Sequence, residues 1–196
     1  MVIRLAEFPD LAAVLENFRL SISDMQSRGI DQWDEQYPSQ QLVAGDIASR
    51  SLWVADDNGV ILASICLNDT QPAEYGRLPW RHTAGPALVV HRLCVRPDRQ
   101  RRGLGWRLMK FAEELGRERG FASIRLEVYA GAPAALALYQ RLGYVRAGQI
   151  RFPRRRMAFD CMELSLTGTT RAGQTRRSEP GAGALVADRP SVAPSH

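Results

Sequence analysis

The sequence predicts a domain of the α/β or α+β class, in which helices pack against a mixed, mostly antiparallel central sheet. Over residues 2–166 the periodic segments follow the order β, α, α, β, β, β, α, β, α, β, β. A single strand–helix–strand unit lies at the centre, at residues 87–130, and a strong hairpin pattern precedes it at residues 51–67. A doubly wound parallel sheet would instead alternate strand and helix along the whole chain.

The N-terminal third predicts one strand and two helices. Residues 2–7, VIRLAE, alternate as in a strand, and residues 8–22 have helical spacing. A second helix is predicted within residues 39–50, with Ser39 as its N-cap.

The middle of the chain predicts a hairpin and then the central unit. Two β-rich runs flank Asp57-Asn58-Gly59, residue types that accept the positive φ of a tight turn. Residues 87–95, ALVVHRLCV, form a strand, and residues 103–120 form a long amphipathic helix that ends at Gly120.

The last third predicts a strand at residues 123–130, a short helix at residues 132–143, and a closing pair of strands at residues 144–152 and 159–166. The domain is therefore expected to span residues 1–166. Residues 167–196 are rich in Gly, Pro, Ser, Thr and Ala with almost no large apolar side chains, which predicts a disordered tail.

Bulk composition excludes several classes of protein. A chain of 196 residues suits one domain with a sizeable core. The sequence has no apolar run long enough to span a bilayer, and its first residues lack the order of a secretory signal, so we expect a cytoplasmic protein without a membrane partner. Three cysteines without CxxC spacing favour buried residues over a metal cage or a disulfide framework.

The net charge of +5 has two interpretations. A basic chain can bind nucleic acid, but the arginines cluster around one glycine turn and again at residues 154–156 rather than along a helix. A basic pocket for a phosphorylated small molecule explains that distribution at least as well, and we expect no nucleic-acid partner.

The stretch VRPDRQRRGLGWRLM, residues 95–109, is typical of a phosphate-binding turn. Glycines at the start of a helix let the backbone approach a ligand closely, and the first amides of the helix have no internal partner. Together with the helix dipole and the arginines they form an anion site. A Walker loop is excluded because Gly-Lys-Ser/Thr is missing, and a dinucleotide fingerprint is excluded because residue 108 is Leu.

That stretch resembles the acyl-CoA-binding signature of the GNAT superfamily of N-acyltransferases, through Val95, Pro97, Gln100, Gly103 and Gly105. A second match, AALALYQRLGY, is similar to the Ala-x-x-Leu-Tyr-x-x-x-Gly-Phe/Tyr segment of that family. The family often has Asn where this chain has Ala132, so one contact to the pantetheine arm is lost or is supplied by another group.

The resemblance implies a central sheet with a splayed pair of parallel strands, helices on both faces, and acetyl-CoA as acyl donor with no metal. The gap between the strands at residues 87–95 and 123–130 would hold the thioester. The residues that the resemblance assigns to the donor are Leu93, Cys94, Val95, Gln100, Arg101, Arg102, Gly103, Leu104, Gly105, Trp106 and Tyr139.

For catalysis, the resemblance implies direct attack by an amine, with Tyr139 as the acid that protonates the leaving thiolate. His91 is a candidate base because of its pKa range, and period-two alternation puts it on the face of Leu93 and Val95. Glu127 on the neighbouring strand is the second candidate. Many such enzymes use a water chain instead of one base.

The acceptor is expected to be an amine on a small molecule or a protein N-terminus. Residues 26–38 line the acceptor site in this family, and here Trp33, Tyr37 and Glu35 combine aromatic and acidic groups that suit a cation. Residues 70–86 are either a second substrate loop or a connection. The oligomeric state is open between monomer and homodimer.

Two other functions remain open from the sequence. The chain could be a non-catalytic acyl-CoA-binding module that senses its ligand or pairs with another protein. A nucleic-acid-binding protein rests on charge alone and predicts salt-dependent binding that survives loss of the glycine turn.

Overall fold

The computed structural model describes residues 1–167 of the chain. Its seven strands are β1 (Val2–Leu5), β2 (Leu52–Asp57), β3 (Val60–Asn68), β4 (Ala87–Val95), β5 (Ser123–Tyr129), β6 (Val145–Ile150) and β7 (Phe159–Ser165). Its four α-helices are α1 (Leu11–Ser27), α2 (Gln40–Ala48), α3 (Leu104–Glu118) and α4 (Pro133–Arg141).

All seven strands form one sheet in the order β1-β2-β3-β4-β5-β7-β6. The pair β4–β5 is parallel and the other five neighbouring pairs are antiparallel. Helix α3 lies in the crossover that connects the parallel strands β4 and β5. The predicted fold class is thus confirmed, including the order of the eleven main elements.

Helices cover both faces of this sheet. On one face α3 and α4 bury Leu108, Met109 and Leu142 against β3, β4 and β5. On the other face α1 and α2 bury Val14 and Val43, with others, against β2 and β3. Burial of these apolar side chains between the helices and the sheet is the main source of stability of the fold.

Local sequence signals act as expected at two places. The Ser39 hydroxyl accepts a hydrogen bond of 3.2 Å from the Leu42 amide, which caps α2. The turn between β2 and β3 has Asn58 at φ 54° and Gly59 at φ 86°, the conformation that residues of these types adopt readily.

A third part of the sheet is covered by a loop instead of a helix. Within residues 69–86 a short 3-10 turn at Ala73–Arg77 carries Tyr75, which is 1% exposed. The Glu163 carboxylate on β7 accepts hydrogen bonds from the Arg81 and His82 amides at 2.8 and 3.2 Å, and from Arg125 Nε at 3.1 Å. The guanidinium of Arg125 also lies over the Trp80 ring, 4.5 Å from its centre. These contacts hold the loop against β5 and β7.

Helix α1 continues to Ser27, beyond the predicted end at residue 22. Cys66, Cys94 and Cys161 are buried and free. Within residues 1–167, none of the helices combines the length and the hydropathy needed to cross a membrane. The predicted tail, residues 167–196, lies outside the described residues apart from Thr167.

Replacing Glu163 tests how much the loop depends on its buried anchor. Glu163→Gln leaves the Arg125 guanidinium buried without its counter-charge, so we expect the free energy of unfolding to fall by roughly 3 kcal/mol. Urea denaturation measures this loss. Glu118→Gln, at an exposed position in the last turn of α3, is the control and should change stability by less than about 0.5 kcal/mol. Equal effects of the two substitutions would contradict the anchoring role.

Candidate active site

The site begins where β4 and β5 separate. Their parallel pairing runs from Ala87 opposite Ser123 to Val90 opposite Leu126 and ends there. Beyond that point the strands diverge, and a cavity of about 1050 Å³ opens between their carboxyl ends. Ligands of open α/β sheets bind at such edges because the parting exposes backbone groups that no neighbouring strand pairs.

A β-bulge in β4 accompanies the separation. Between the pairs Ser64–Cys94 and Cys66–His91, one residue of β3 faces two residues of β4. The extra residue is Arg92, which has a φ of 49°. A bulge bends its strand and reverses the alternation of faces beyond it.

A buried ion pair fixes this bulge. Arg92 donates from Nη2 and Nε to the Asp46 carboxylate of α2 at 2.6 and 3.1 Å, and from Nη1 to the Tyr37 hydroxyl at 3.3 Å. The side chains of Arg92 and Asp46 are only 8% and 9% exposed. The unusual backbone conformation of Arg92 is therefore held by a partner in another element.

The bulge corrects one prediction. Leu93 and Val95 pack with Val90 on the face of α3 and α4, whereas Cys94 packs on the face of α1. Period-two alternation would put His91 on the face of Leu93 and Val95, and this is wrong because the extra residue changes the parity of the strand.

His91 instead contacts the end of β3 and the loop that follows it. Its Nε2 lies 3.0 Å from Asn68 Oδ1 and 3.1 Å from the Thr70 carbonyl oxygen, two acceptors that favour a proton on this nitrogen. Burial, and to a lesser extent the charge of Arg92, lower the pKa of His91 to about 4. His91 does not line the cavity.

The open edge of β4 presents backbone groups to the cavity. The Arg96 amide donates to the Leu62 carbonyl of β3 at 3.0 Å, so by alternation the amide and carbonyl of Val95 point away from β3, toward the gap. The Val95 carbonyl already accepts a hydrogen bond of 3.1 Å from Gln100 Nε2. The Val95 amide is the group left for a ligand.

The glycine turn stands at the mouth of this gap. Gly103 is the N-cap of α3 with φ 81°, and Arg101 has φ 57°. The first hydrogen bond of the helix runs from the Arg107 amide to the Gly103 carbonyl at 3.0 Å, which leaves the preceding amides free for an anion. A Cβ on Gly103 would meet no atom within 4 Å, so the turn is open to a ligand.

Helix α4 forms the opposite wall. Gly105 lets α3 approach α4 closely, since a Cβ there would lie 3.2 Å from Leu138 Cδ2. Tyr139 lines the cavity and packs edge to face on Tyr144, with ring centres 5.9 Å apart. Burial raises the pKa of Tyr139, and the charge of Glu127 raises it further. Ala132, at the N-cap of α4, supplies no side-chain cap.

Glu127 lies on β5 just past its last pair with β4, and it lines the cavity. Burial raises the pKa of Glu127 to about 7, while the hydrogen bond from the Tyr75 hydroxyl and the charge of Arg92 oppose that shift. A carboxyl group with this pKa can take up and release a proton at neutral pH.

The remaining wall is formed by residues 28–37 and by the strap, which we define as residues 151–158 between β6 and β7. Trp33 is 8% exposed and packs edge to face on Phe18 at 5.3 Å, so it is shared between the core and the cavity. Tyr37 also lines the cavity, whereas Glu35 is exposed and lies outside the lining.

Two carboxylates within residues 28–37 are paired with the strap. Asp34 accepts a hydrogen bond of 2.7 Å from Arg155 Nη1, and Asp31 accepts one of 3.0 Å from the Arg156 amide. Arg155 lowers the pKa of Asp34 by this hydrogen bond. Two carboxylates beside the predicted cation site are thus each paired with an arginine of the strap, Asp31 with Arg156 at 3.3 Å and Asp34 with Arg155 at 2.7 Å.

The structure brings most of the predicted site residues to one cavity. The predicted residues that line it are Trp33, Tyr37, Leu93, Cys94, Val95, Gln100, Arg101, Gly103, Leu104, Gly105, Trp106, Glu127 and Tyr139. The predicted residues outside the lining are Glu35, His91 and Arg102. Among the described residues, no three His, Cys, Asp or Glu side chains are grouped as a metal site.

Sequence reasoning missed three contributors: Arg92, Tyr75 and Arg155. Arg92 has no sequence feature that distinguishes it from other strand residues, and its partner Asp46 is remote in the chain. For Tyr75, the aromatic residues of its loop are the sequence feature that could have indicated a buried position. Arg155 was seen as part of a basic cluster, without its contact to Asp34.

Comparison with known proteins agrees with this geometry. A chain from Bacillus subtilis, "S-(2-succino)cysteine N-acetyltransferase", is 30% identical over 112 residues, which cover 55% of this chain and 62% of that protein. The "[Ribosomal protein bS18]-alanine N-acetyltransferase" of Escherichia coli is 44% identical over 59 residues, or 30% of this chain and 40% of that protein. This chain therefore spans less than two thirds of either relative.

Among solved structures, yncA from Salmonella typhimurium, determined with its cofactor acetyl-CoA, superposes with a TM-score of 0.65 at 19% identity and covers 89% of this chain and 98% of its own. That likeness shows a common fold. The profile of the acetyltransferase (GNAT) family matches residues 17–144, more than half of the chain. The predicted resemblance is confirmed, and the chain belongs to the acetyltransferase (GNAT) family.

Proposed function

We propose that the chain is an N-acetyltransferase that transfers the acetyl group of acetyl-CoA to a primary amine by direct attack. The observation that carries the proposal is the parted β4–β5 edge, which places the Val95 amide, the Gly103 turn, Glu127 and Tyr139 around one cavity. The names of the two relatives put an S-substituted cysteine and an alanine of a ribosomal protein among the candidate acceptors.

The residues fit the donor in two places. The free amides after Gly103 and the neighbouring Arg101 suit the diphosphate, because a helix N-terminus attracts negative charge. The open edge of β4 suits the pantetheine arm, whose amides can pair with backbone groups as an added strand would. Acetyl-CoA supplies an activated thioester and a thiolate leaving group.

The chain's own groups account for the charges and protons of the transfer. The Val95 amide, directed into the gap, donates to the carbonyl oxygen as negative charge develops on it. Glu127 accepts the proton that the amine loses, directly or through water, as the new C–N bond forms and the C–S bond breaks. Tyr139 is protonated at neutral pH because burial raises its pKa, and it gives its proton to the departing thiolate. Tyr139 then takes a proton from solvent while Glu127 releases one, so that the net products are the amide and the CoA thiol.

Glu127 is favoured over His91 as the base. Glu127 lines the cavity and titrates near neutral pH. His91 lies on the other side of the bulge, outside the lining, and its Nε2 is already occupied by two acceptors.

Substitution of Gly103 tests donor binding. Gly103→Asp and Gly103→Asn introduce side chains of the same shape that tolerate a positive φ, but only Asp brings a negative charge to the phosphate turn. Calorimetric titration should show at least about tenfold weaker acetyl-CoA binding for Asp than for Asn. NADH and ATP, titrated in parallel, should bind poorly to the wild type. If the two variants bind acetyl-CoA equally well, the turn is not the phosphate site.

The pH dependence of kcat/KM tests Glu127. The carboxyl must be ionised to act as a base, so activity should fall as pH drops through about 7, by about tenfold per unit below it. Glu127→Gln should remove this limb and lower kcat/KM by roughly 100-fold or more. In Tyr75→Phe the carboxylate loses a stabilising donor, so the midpoint should move upward. An unchanged profile in Glu127→Gln would assign the base elsewhere.

Tyr139→Phe tests the proton donor. We expect kcat to fall by roughly 100-fold while the Kd for acetyl-CoA changes by less than about twofold, because the ring is kept and only the proton is lost. Tyr144→Phe is the matched control: the Tyr144 ring packs on Tyr139, but within residues 1–167 the Tyr144 hydroxyl is buried without a hydrogen-bond partner, and Tyr144 does not line the cavity. Similar losses in both variants would indicate a packing effect and remove the acid role of Tyr139.

A further inference from the structure

The lining of the cavity contains more cationic than anionic residues. Its arginines are Arg28, Arg92, Arg101, Arg141, Arg154 and Arg155. Their ion-pair partners within residues 1–167 are three carboxylates, those of Asp24, Asp34 and Asp46. Arg154 and Arg155 share Asp34, at 3.8 and 2.7 Å, so one guanidinium at the strap lacks a full counter-charge.

Arg155 is the member of this group best placed for a ligand. Its side chain is only 9% exposed, whereas that of Arg154 is 59% exposed. Nη1 of Arg155 donates a hydrogen bond to the Asp34 carboxylate. Within residues 1–167, Nε and Nη2 of Arg155 have no hydrogen-bond partner. A guanidinium withdrawn from water is stabilised by a second anion, and two free N–H groups suit the two oxygens of a carboxylate.

The strap that carries Arg155 is fixed in place. Next to it the Arg156 amide donates to Asp31, and the Arg156 guanidinium donates to the Gly29 carbonyl at 2.9 Å. The Tyr129 hydroxyl donates to the same Asp31 carboxylate and accepts from the Met157 amide at 3.3 Å. The position of Arg155 is therefore set by its neighbours and does not depend on a bound ligand.

The same cavity also holds one acidic group. Within residues 1–167, Glu127 is the one carboxylate residue that lines it. An amine that carries a carboxylate matches both charges, because its ammonium group can face Glu127 while its carboxylate faces Arg155. A cationic acceptor such as a diamine would meet arginines at the strap.

We infer that the acceptor is a small amine that bears a carboxylate, as a free amino acid does, and that Arg155 binds this carboxylate. The inference rests on the proposed N-acetyltransferase function and adds the class of its substrate. Arg155 acts as a specificity residue and takes no part in the chemical step.

Wild-type enzyme with acetyl-CoA tests the substrate class directly. The probes are matched pairs that differ only in the charged group, L-methionine with L-methioninamide and L-alanine with L-alaninamide, together with a peptide amide that begins with Ala. Release of the CoA thiol gives kcat/KM. We expect at least about a tenfold preference for the free carboxylate in the pair that reacts. Turnover of the amides or of the peptide at equal or higher kcat/KM overturns the inference and leaves the proposed function standing.

Variants of the strap test Arg155 itself. Arg155→Met should raise KM for the carboxylate acceptor about tenfold or more and remove the preference over the amide, with kcat and acetyl-CoA affinity little changed. Arg155→Lys should restore part of the preference, because it restores the charge without the two-pronged geometry. Arg151→Met, at an exposed residue of the same strap outside the cavity lining, is the control. A preference that survives in Arg155→Met overturns the role of Arg155.

The two proposals fail in different ways. Suppose that acetyl-CoA binds but that CoA thiol is released with none of the amino acids, their amides or the peptide. Then the N-acetyltransferase function fails, and the acceptor inference fails with it. If only amines without a carboxylate react, the acceptor inference alone is wrong.

Discussion

The active site depends on the premature end of one parallel strand pair. A parallel ladder that continued along the full length of β4 and β5 would pair the backbone groups that the two strands turn toward each other. It would leave no space between the strands. Because the ladder stops at Val90 and Leu126, the carboxyl ends of the two strands separate and the backbone of β4 becomes available to a ligand. The bulge at Arg92 lies where the pairing stops, and the ion pair of Arg92 with Asp46 holds it. This pair connects α2 to the geometry of the donor gap.

The two sides of the gap are built by different means. The proposed donor side consists of backbone groups: an open strand edge, a glycine turn and the amides of a helix N-terminus. The proposed acceptor side consists of side chains held by hydrogen bonds and ion pairs between residues far apart in sequence. A backbone site is insensitive to most substitutions, since only residues such as Gly103 determine its shape, whereas the side-chain wall is defined by the identity of each residue.

This difference explains what the sequence could predict. The hydrophobic periods located the strands and helices, and Ser39 and the Asn58-Gly59 turn acted through local chemistry. The glycine motif predicted an anion site from neighbouring residues alone. The bulge was not predictable, because Arg92 carries no local signal for positive φ and its partner lies 46 residues away. The contact between Tyr75 and Glu127 spans 52 residues, and that between Arg155 and Asp34 spans 121. Such pairings are decided by tertiary packing, which a periodic pattern does not encode.

The arrangement of the strap has a consequence for the history of the protein. The side chains of Arg154, Arg155 and Arg156 connect the strap to residues 29–36 by polar contacts, and their replacement removes little apolar surface from the hydrophobic core. Mutations here can alter the charge and outline of this wall of the cavity while the gap between β4 and β5 and the sheet stay intact. A lineage that carries this strap can therefore change the proposed amine acceptor by single substitutions that leave β4 and α3 in place.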